Sequence, residues 1–496
     1  MCVAMLQTCI LLFFFSLLFV PALHAQNEVD ALRQAQRGNG VGARALAIGP
    51  AYSAISDDYA AVFFNPAGLG QIKRFEATLG FDFFNYSTDA LYLNTSNTAA
   101  KSGNTLNSIG LVLPFPTYQG SFVLALGYNR LQNFRAVQNV SAFNPSGSIS
   151  DWFLSFTPRF DAQQRILLTD VGALAFNHYL MSDRNGQYVE PLINRGQVFQ
   201  RSDLFEDGGS NAFCISAAIE VAPALFIGAT LNVVSASYTF SRDFSERDDS
   251  NVYPNFISLT LSESFETQTS GANLIAGLLY RPDSHWRLGL TLQTPSWLSL
   301  KDEFNTSLQT RYERPPDGAT RAVFSDALPK GTLEYRLQTP WVFGASLSFE
   351  ESFFTLGAQV SYRDWTQLSY SSDAVSFSDL NRTIASELKG AFSFALGLEL
   401  HPPFLPMRLR AGYGLEQSPF QYRLSENPNE RIFTSLADAR QTLSFGAGFL
   451  FQQTLSLDVA YLFSTQAVQG RLYSGSRLVE ETVRNASFII TASFRF

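Results

Sequence analysis

The sequence predicts an all-β protein, a transmembrane antiparallel β-barrel of fourteen strands behind a short helical N-terminal segment. Three observations carry this expectation. Charged residues make up 16% of the 496-residue chain and aromatics 14%, with 45 phenylalanines, whereas soluble domains carry roughly 25% charge. Mean hydropathy is +0.01, and beyond the N-terminus no apolar run approaches the roughly 20 residues of a membrane-spanning helix. From about Phe75 onward the apolar residues recur at every second position, the period of a strand. Apolar surface without apolar runs is what membrane-spanning strands produce. The net charge of −8 argues against a nucleic-acid partner, and the mixed, Phe-rich composition excludes collagen, coiled coil and disorder.

The chain opens with the apolar run Leu11–Val20, followed by PALHAQ. This reads as a secretory signal peptide over residues 1–25, cleaved after Ala25 so that Gln26 leads the mature chain. The run lacks a basic n-region and has Leu23 at the −3 position, so a single membrane anchor is the competing reading, but it is short for a span. Cys2 and Cys9 leave with the peptide, and Cys214 then has no disulfide partner. A barrel supplies the missing stability by pairing every strand edge.

Residues 26–74 are unlike the rest of the chain: GNGVGARALAIGPAYSAISDDYAAVFFNPAGLG is rich in small residues and Gly. Ser56 is placed to cap a short helix with Asp57 and Asp58 in its first turn, and Pro66 stops that helix near Asn65. Asp57 and Asp58 make a poor acid–base pair, because adjacent helix residues do not share a face. Gly38, Gly40 and Gly42 lack both the preceding strand and the following Lys-Ser/Thr of a phosphate loop.

Residues 75–496 carry the barrel. In the last strand Phe488, Ile490, Ala492, Phe494 and Phe496 share one face, and Ser487, Ile489, Thr491, Ser493 and Arg495 the other. Strands are expected at 75–86, 107–115, 120–130, 211–222, 224–242, 255–281, 285–312, 328–349, 352–372, 387–401, 407–424, 437–451, 453–473 and 478–496. Fourteen is even, as single-chain outer-membrane barrels require. A soluble sandwich also alternates, but here the polar face is Gly, Ser, Thr and Ala with scattered charges such as Glu399 and Asp458, as a lumen would be.

Short links alternate with long ones, and the longest, about 131–210, reads as a helical extracellular insert. Its aromatics Trp152, Phe153, Phe156, Phe160, Phe176 and Tyr179 are candidates for a greasy groove that takes an amphipathic ligand; the alternative is that they pack the insert onto itself. Phe494 and Phe496 fit a terminal-strand signal for the barrel-assembly machinery. His178, His285 and His401 are isolated, so no metal is expected. No G-x-S-x-G marks a nucleophile, and neither a cofactor nor a catalytic residue is expected.

Several segments resemble the FadL/TodX-type outer-membrane transport family, whose best-known members carry long-chain fatty acids. GARALAIGPAYSAISDDYAAVFFNPAGLG, with Asn65, Pro66, Ala67 and Gly68, is similar to that family's plug. WRLGLTLQTPSWLSLKDEF from Trp286, TPWVFGASLSFEESFFTLGAQVSYRDWTQL with Asp364-Trp365, and LRAGYGLEQSP from Leu409 to Pro419 resemble its strands. The resemblance implies a fourteen-stranded barrel with the N-terminal hatch folded inside the lumen. It implies a place among the lipids of a Gram-negative outer membrane. It also implies passive transport of hydrophobic small molecules, long-chain fatty acids by default, leaving by a lateral opening or past a shifted hatch. The family also contains secretion-system relatives, so a shuttle or scaffold for protein export is the competing function. A continuous apolar tunnel favours transport; a polar, blocked lumen with a sticky outer loop favours the scaffold.

Overall fold

The computed structural model describes residues 26–159, 166–403, 406–427, 430–452 and 454–496. The expected signal peptide, with Cys2 and Cys9, lies outside the described residues, as does Phe160. The barrel strands are β1 (Glu76–Tyr92), β2 (Thr95–Phe115), β3 (Phe122–Asn133 and Ala136–Asn144), β4 (Val198–Ala222), β5 (Leu225–Arg247), β6 (Phe256–Tyr280) and β7 (Trp286–Gln293 and Trp297–Tyr312). They continue as β8 (Val323–Ala327, Gly331–Gln338 and Val342–Glu351), β9 (Phe354–Asp364 and Ser369–Ser371), β10 (Gly390–Leu400), β11 (Met407–Glu416), β12 (Arg440–Phe451), β13 (Leu455–Arg471) and β14 (Leu478–Arg495). Each pairs antiparallel with its neighbours in sequence. β14 returns to β1 in the register Glu76↔Arg495 through Leu91↔Glu480, which closes the barrel.

Period-two alternation sorts the side chains between lipid and lumen. Leu396 is 60% and Phe445 56% exposed on the outside, while their neighbours Glu399 and Ser444 are buried inside. Connections after β2, β4, β6, β8, β10 and β12 are two to six residues long and share the end that holds both barrel termini, termed the lower end. The upper end carries the longer loops. The β1–β2 turn is an exception there: Leu93 and Asn94 both take positive φ, as a two-residue hairpin turn requires.

The structure departs from expectation in three places. β1 and β2 run to Tyr92 and back from Thr95, well beyond the expected 75–86 and 107–115. The added stretch is Ser-, Thr- and Asn-rich because it stands above the slab that roughly 9–11 residues suffice to cross. The insert is narrower than 131–210: β3 continues to Asn144 and β4 starts at Val198. It is also less helical, holding only Ser150–Phe153, Val171–Asn177 and a hairpin of Ser182–Arg184 with Gln187–Val189 among the described residues. Finally, β7 is broken at Pro295 and β8 at both Pro329 and Pro340, and a proline cannot donate to the ladder.

The wall splits beside β2. Its lower part pairs with β3 from Ser108↔Asn129 to Phe115↔Phe122, but its upper part pairs only with β1. The second segment of β3 pairs with β4 alone, from Ala136↔Glu206 to Asn144↔Val198. There β3 has moved inward: Gln138 Nε2 donates to Glu481 Oε1 on β14 at 2.7 Å, across the β1–β2 hairpin. Gly208, opposite the break, takes φ +117, where a Cβ would overlap the Ser237 carbonyl.

The ladder closes without help from residues 26–74. A chain lacking residues 26–71 is therefore expected to assemble into a folded barrel, read as heat-modifiable mobility in unboiled gels. Loss of that mobility would mean the hatch is needed for closure.

Candidate functional site

The N-terminal segment fills the barrel as a hatch. Helix α1 (Glu28–Ala35) is started by a capping box between Asn27 and Asp30. It buries Ala31 and Leu32 against Leu298, Tyr335, Leu337, Trp365 and Ile384. Arg33 reaches Glu206 on β4 at 3.2 Å and lies 4.4 Å over the Tyr238 ring. The Gly38 amide then donates to the Leu131 carbonyl at 2.8 Å, just below the break in β3.

Helix α2 (Ala43–Ala47), helix α3 (Ala61–Phe64) and a 3-10 turn (Pro66–Gln71) complete the hatch. Around it the wall presents glycines: Gly110 on β2, Gly127 on β3, Gly228 on β5, Gly277 on β6, Gly357 on β9, Gly397 on β10, Gly412 on β11 and Gly446 on β12. A Cβ at Gly412 would overlap the Gly49 amide, at Gly397 the Ile48 carbonyl, and at Gly228 the backbone of Pro66 and Ala67. Gly110 and Gly127 accept the ring of Tyr59, whose Oη donates to Asn129 Oδ1 at 3.0 Å and lies 3.6 Å from Cys214 Sγ. At Gly228, Gly357, Gly397 and Gly412 wall backbone thus meets hatch backbone directly.

Asn65-Pro66-Ala67-Gly68 lies at the centre of this seal. Asn65 is fully buried. Its Nδ2 donates to the carbonyls of Ser53 (2.9 Å) and Leu278 on β6 (3.1 Å). Its Oδ1 accepts the Ala67 amide at 3.2 Å, capping the 3-10 turn. Truncating Asn65 would strand two carbonyls, a loss of about 1–3 kcal/mol each if no water replaces it. Ser56 does not cap a helix as the sequence suggested. It takes φ +37 and donates back to the Tyr52 carbonyl, and Asp58 instead accepts the Ala60 amide at 2.9 Å.

Below the hatch lies a chamber of about 370 Å³ walled by charge. Glu399 accepts from Arg44 of the hatch at 3.0 Å, from Arg410 at 2.6 Å and from Arg408 at 3.3 Å. His401 lies 2.9 Å from it. Arg410 also reaches Asp458 at 2.6 Å, and Arg495 reaches the fully buried Glu76 at 2.7 Å. Burial would raise the Asp57 carboxyl, but Arg44 and Arg287 hold it below its ordinary value. Burial, reinforced by Glu76, pushes Asp58 up to about 7. The adjacent aspartates thus differ: Asp57 is an ion-pair partner, and Asp58 accepts the Ala60 amide and binds a proton more readily than an ordinary carboxylate.

Above the hatch two guanidiniums face the lumen. Arg37 bonds the Gln293 side chain at 2.9 Å and the Phe63 carbonyl at 2.6 Å, and lies 3.4 Å over the Phe63 ring. Arg363 on β9 lies 4.6 Å over Trp365. Among the described residues neither has a carboxylate at ion-pair distance. Arg363 feels Glu416 and Arg37's charge lies beside it, but Glu416 is itself paired with Arg440. Burial, with Arg363 added, draws Arg37 down to about 9, which leaves it charged at neutral pH.

The insert aromatics gather over the upper end. Phe153 is fully buried, with Trp152 tilted against it, Phe156 edge-on to Trp152, and Phe176 against Tyr188. Tyr179 is 39% exposed beside Phe324. Phe494 and Phe496 lie on the lipid side of the lower rim, where Phe496 meets Phe75 at 4.3 Å. His178 is buried between Asp326 (3.0 Å) and Thr310 (3.3 Å), and His285 sits in a lower turn near Glu351. Sequence reasoning missed the glycine ring, Arg37, Arg44, Arg363 and Arg410. An arginine at a lumen phase, as Arg410 is between Leu409 and Ala411, was the available signal.

The family described as outer membrane protein transport protein (OMPP1/FadL/TodX) matches residues 210–496. The chain belongs to this family. Its fold is similar to that of a FadL homologue from Pseudomonas aeruginosa, with TM-score 0.55 and 14% identity over 93% of this chain and 99% of that one. It is likewise similar to the toluene transporter TodX of P. putida (0.54, 15%, 92% and 99%). The toluene transporter TbuX of Ralstonia pickettii gives 0.50, 16%, 92% and 99%. No curated protein matches the sequence.

Two outcomes are expected of the hatch contacts. Gly412→Leu is expected to lift the hatch from the wall and admit a bulky hydrophilic antibiotic, with folded mobility retained; permeability equal to wild type would count against the seal. Because the seated hatch holds a proton on Asp58 between its ordinary value of 3.8 and about 7, seating weakens as pH rises through that window and levels off above it. The urea midpoint for hatch release should fall with pH there, and Asp58→Asn should flatten the slope.

Proposed function

We propose that the chain carries hydrophobic or amphipathic small molecules passively across the outer membrane, and that the substrate bears an anionic head, with long-chain fatty acids as the default. The observation that carries the anionic head is the pair Arg37 and Arg363. Two guanidiniums near enough to feel each other's charge, neither with a carboxylate at ion-pair distance among the described residues, are matched by an added carboxylate. A neutral hydrocarbon would leave both charges uncompensated.

The path follows from what is closed. A straight axial tunnel is blocked by the glycine-sealed hatch and the charged chamber beneath it. The split between β2 and β3 lies beside Gly38 of the hatch, and a lateral route there lets an apolar tail pass without meeting the charged floor. First contact falls to the insert, where Trp152, Phe156 and Tyr179 keep part of their surface exposed and Phe153 anchors them. Asn65 to Gly68 hold the hatch against which the substrate rests. Export by cleavage after Ala25, and recognition of Phe494 and Phe496 by the assembly machinery, complete the reading.

The test is binding of a fluorescent long-chain fatty acid to the detergent-folded protein, with shorter acids, a neutral hydrocarbon and a protein-export substrate as competitors. Saturable binding that strengthens with chain length is expected, weakened about tenfold or more by Arg37→Gln with Arg363→Gln, in line with the loss of charge-assisted bonds. Equal displacement by the neutral hydrocarbon would remove the anionic head. Binding of the export substrate alone would move the function to protein export.

A further inference from the structure

We infer that Asp302 is the docking site for this chain's own processed N-terminus, whose α-ammonium on Gln26 forms an ion pair with a carboxylate built into the lumen wall. The inference rests on the export reading, with cleavage after Ala25.

Asp302 sits on β7, paired with Thr267 on β6 and Leu333 on β8. It is 3% exposed. Its Oδ2 accepts Gln26 Nε2 at 2.8 Å and Tyr335 Oη at 2.9 Å. Its Oδ1 is buried with no donor in good hydrogen-bond geometry, and the nearest help is the Thr267 hydroxyl on the facing strand. Among the described residues no Lys, Arg or His lies within ion-pair distance. Glu206 meets Arg33, and Glu399 meets Arg44 and Arg410, while the fully buried Glu246 is held by neutral donors on both oxygens, from Ser148, Ile149 and Gln200. A buried carboxylate with neither a counter-charge nor a full set of donors is costly to keep.

Processing supplies what is missing. The amide that already touches Asp302 and the nitrogen that cleavage would free hang on the same residue. Cutting the bond after Ala25 turns a neutral peptide nitrogen into an ammonium with three donors and a full positive charge. Helix α1 starts two residues later, and the carbonyl of its cap residue Asn27 is held by Tyr370 Oη at 3.3 Å. An ion pair at Gln26 therefore sets the first turn of α1, and through it Arg33 and Arg37.

There is a chemical corollary. A free N-terminal glutamine cyclises when its neutral α-amine attacks the side-chain amide carbon. The C–N bond to the leaving nitrogen breaks, ammonia departs, and a lactam without charge remains. An ammonium held against Asp302 has no lone pair for that attack, and the side-chain amide is engaged at the same carboxylate. The mature chain should therefore keep its open glutamine.

The experiment uses the full-length protein extracted from outer membranes, with intact mass and hydrogen exchange of the α1 amides as readouts. The expected mass is that of residues 26–496 with an open N-terminal glutamine. Asp302→Asn, and separately a chain with two glycines inserted before Gln26, should each speed exchange at the Ala31 and Gln36 amides by about tenfold or more, as local opening becomes easier. Tyr335→Phe, which removes a hydrogen bond but no charge, should not. The glycine insertion keeps every wall residue and so remains informative if Asp302→Asn misfolds. Wild-type exchange in both variants, or a mass lighter by one ammonia, overturns the pairing. A mass that starts elsewhere overturns the cleavage site itself. Fatty-acid binding through Arg37 and Arg363 is read separately, so failure here and failure of the transport reading stay distinct.

Discussion

Inside a bilayer a backbone amide has no water to turn to, so each strand needs a neighbour on both sides. The rest of the molecule depends on that constraint. It explains why β14 must find β1, and why the seam is reinforced where the two meet, by Arg495 on Glu76 and by Phe496 on Phe75. The upper edge of β2, which stands above the slab, is released from that constraint. Where that edge loses its ladder, side chains of Asn97 and Ser141 bond across instead, and the strand that should have been its neighbour has gone to line the interior.

The hatch and the wall are joined by two kinds of contact. At the level of Asn65 and Gly412 the contact is backbone against backbone, which is rigid and leaves no room for ordered water. Below it the contact is ionic, with Arg44 and Asp57 of the hatch meeting Glu399 and Arg287 of the wall. Above it, α1 rests on apolar side chains and a few polar ties. The three levels differ in how they yield. The upper one can be displaced by an apolar competitor, the middle one only by moving main chain, and the lower one by changes in charge.

Much of this was legible in the sequence. Strand number and the phase of the last strands followed from alternation, because lipid on one side and lumen on the other sort residues strictly. The compact segment ahead of β1, with its turn at Pro66, followed from composition and local backbone chemistry. What stayed hidden has physical reasons. The outer half of β2 has no buried face, so Thr95 to Leu106 show no apolar period. Ser56 looked like a cap, but the helix Ala61–Phe64 has no side-chain cap, and Asp58 instead accepts the Ala60 amide just ahead of it. The insert was drawn too wide because Gln132 to Asn144, paired only to β4, lacks a lipid-facing stripe. The glycine ring could not be seen, since each glycine is ordinary alone and only barrel closure lines them up. Arg37 and Arg363 lie far apart in sequence, and only the folded hatch brings them together.

The glycine ring also bears on the order of events during folding. A hatch gripped by wall backbone at strand after strand cannot be threaded into a finished cylinder, because every approach from either mouth would drive main chain through main chain. Its last residues run straight into β1, the strand on one side of the final seam, and β14, the strand on the other side, is made last. The cylinder must therefore be wrapped around a hatch that is already folded, much as a hoop is closed on a cask. The compact, locally bonded turns from Tyr52 to Gln71 are suited to forming before any long-range strand pair exists.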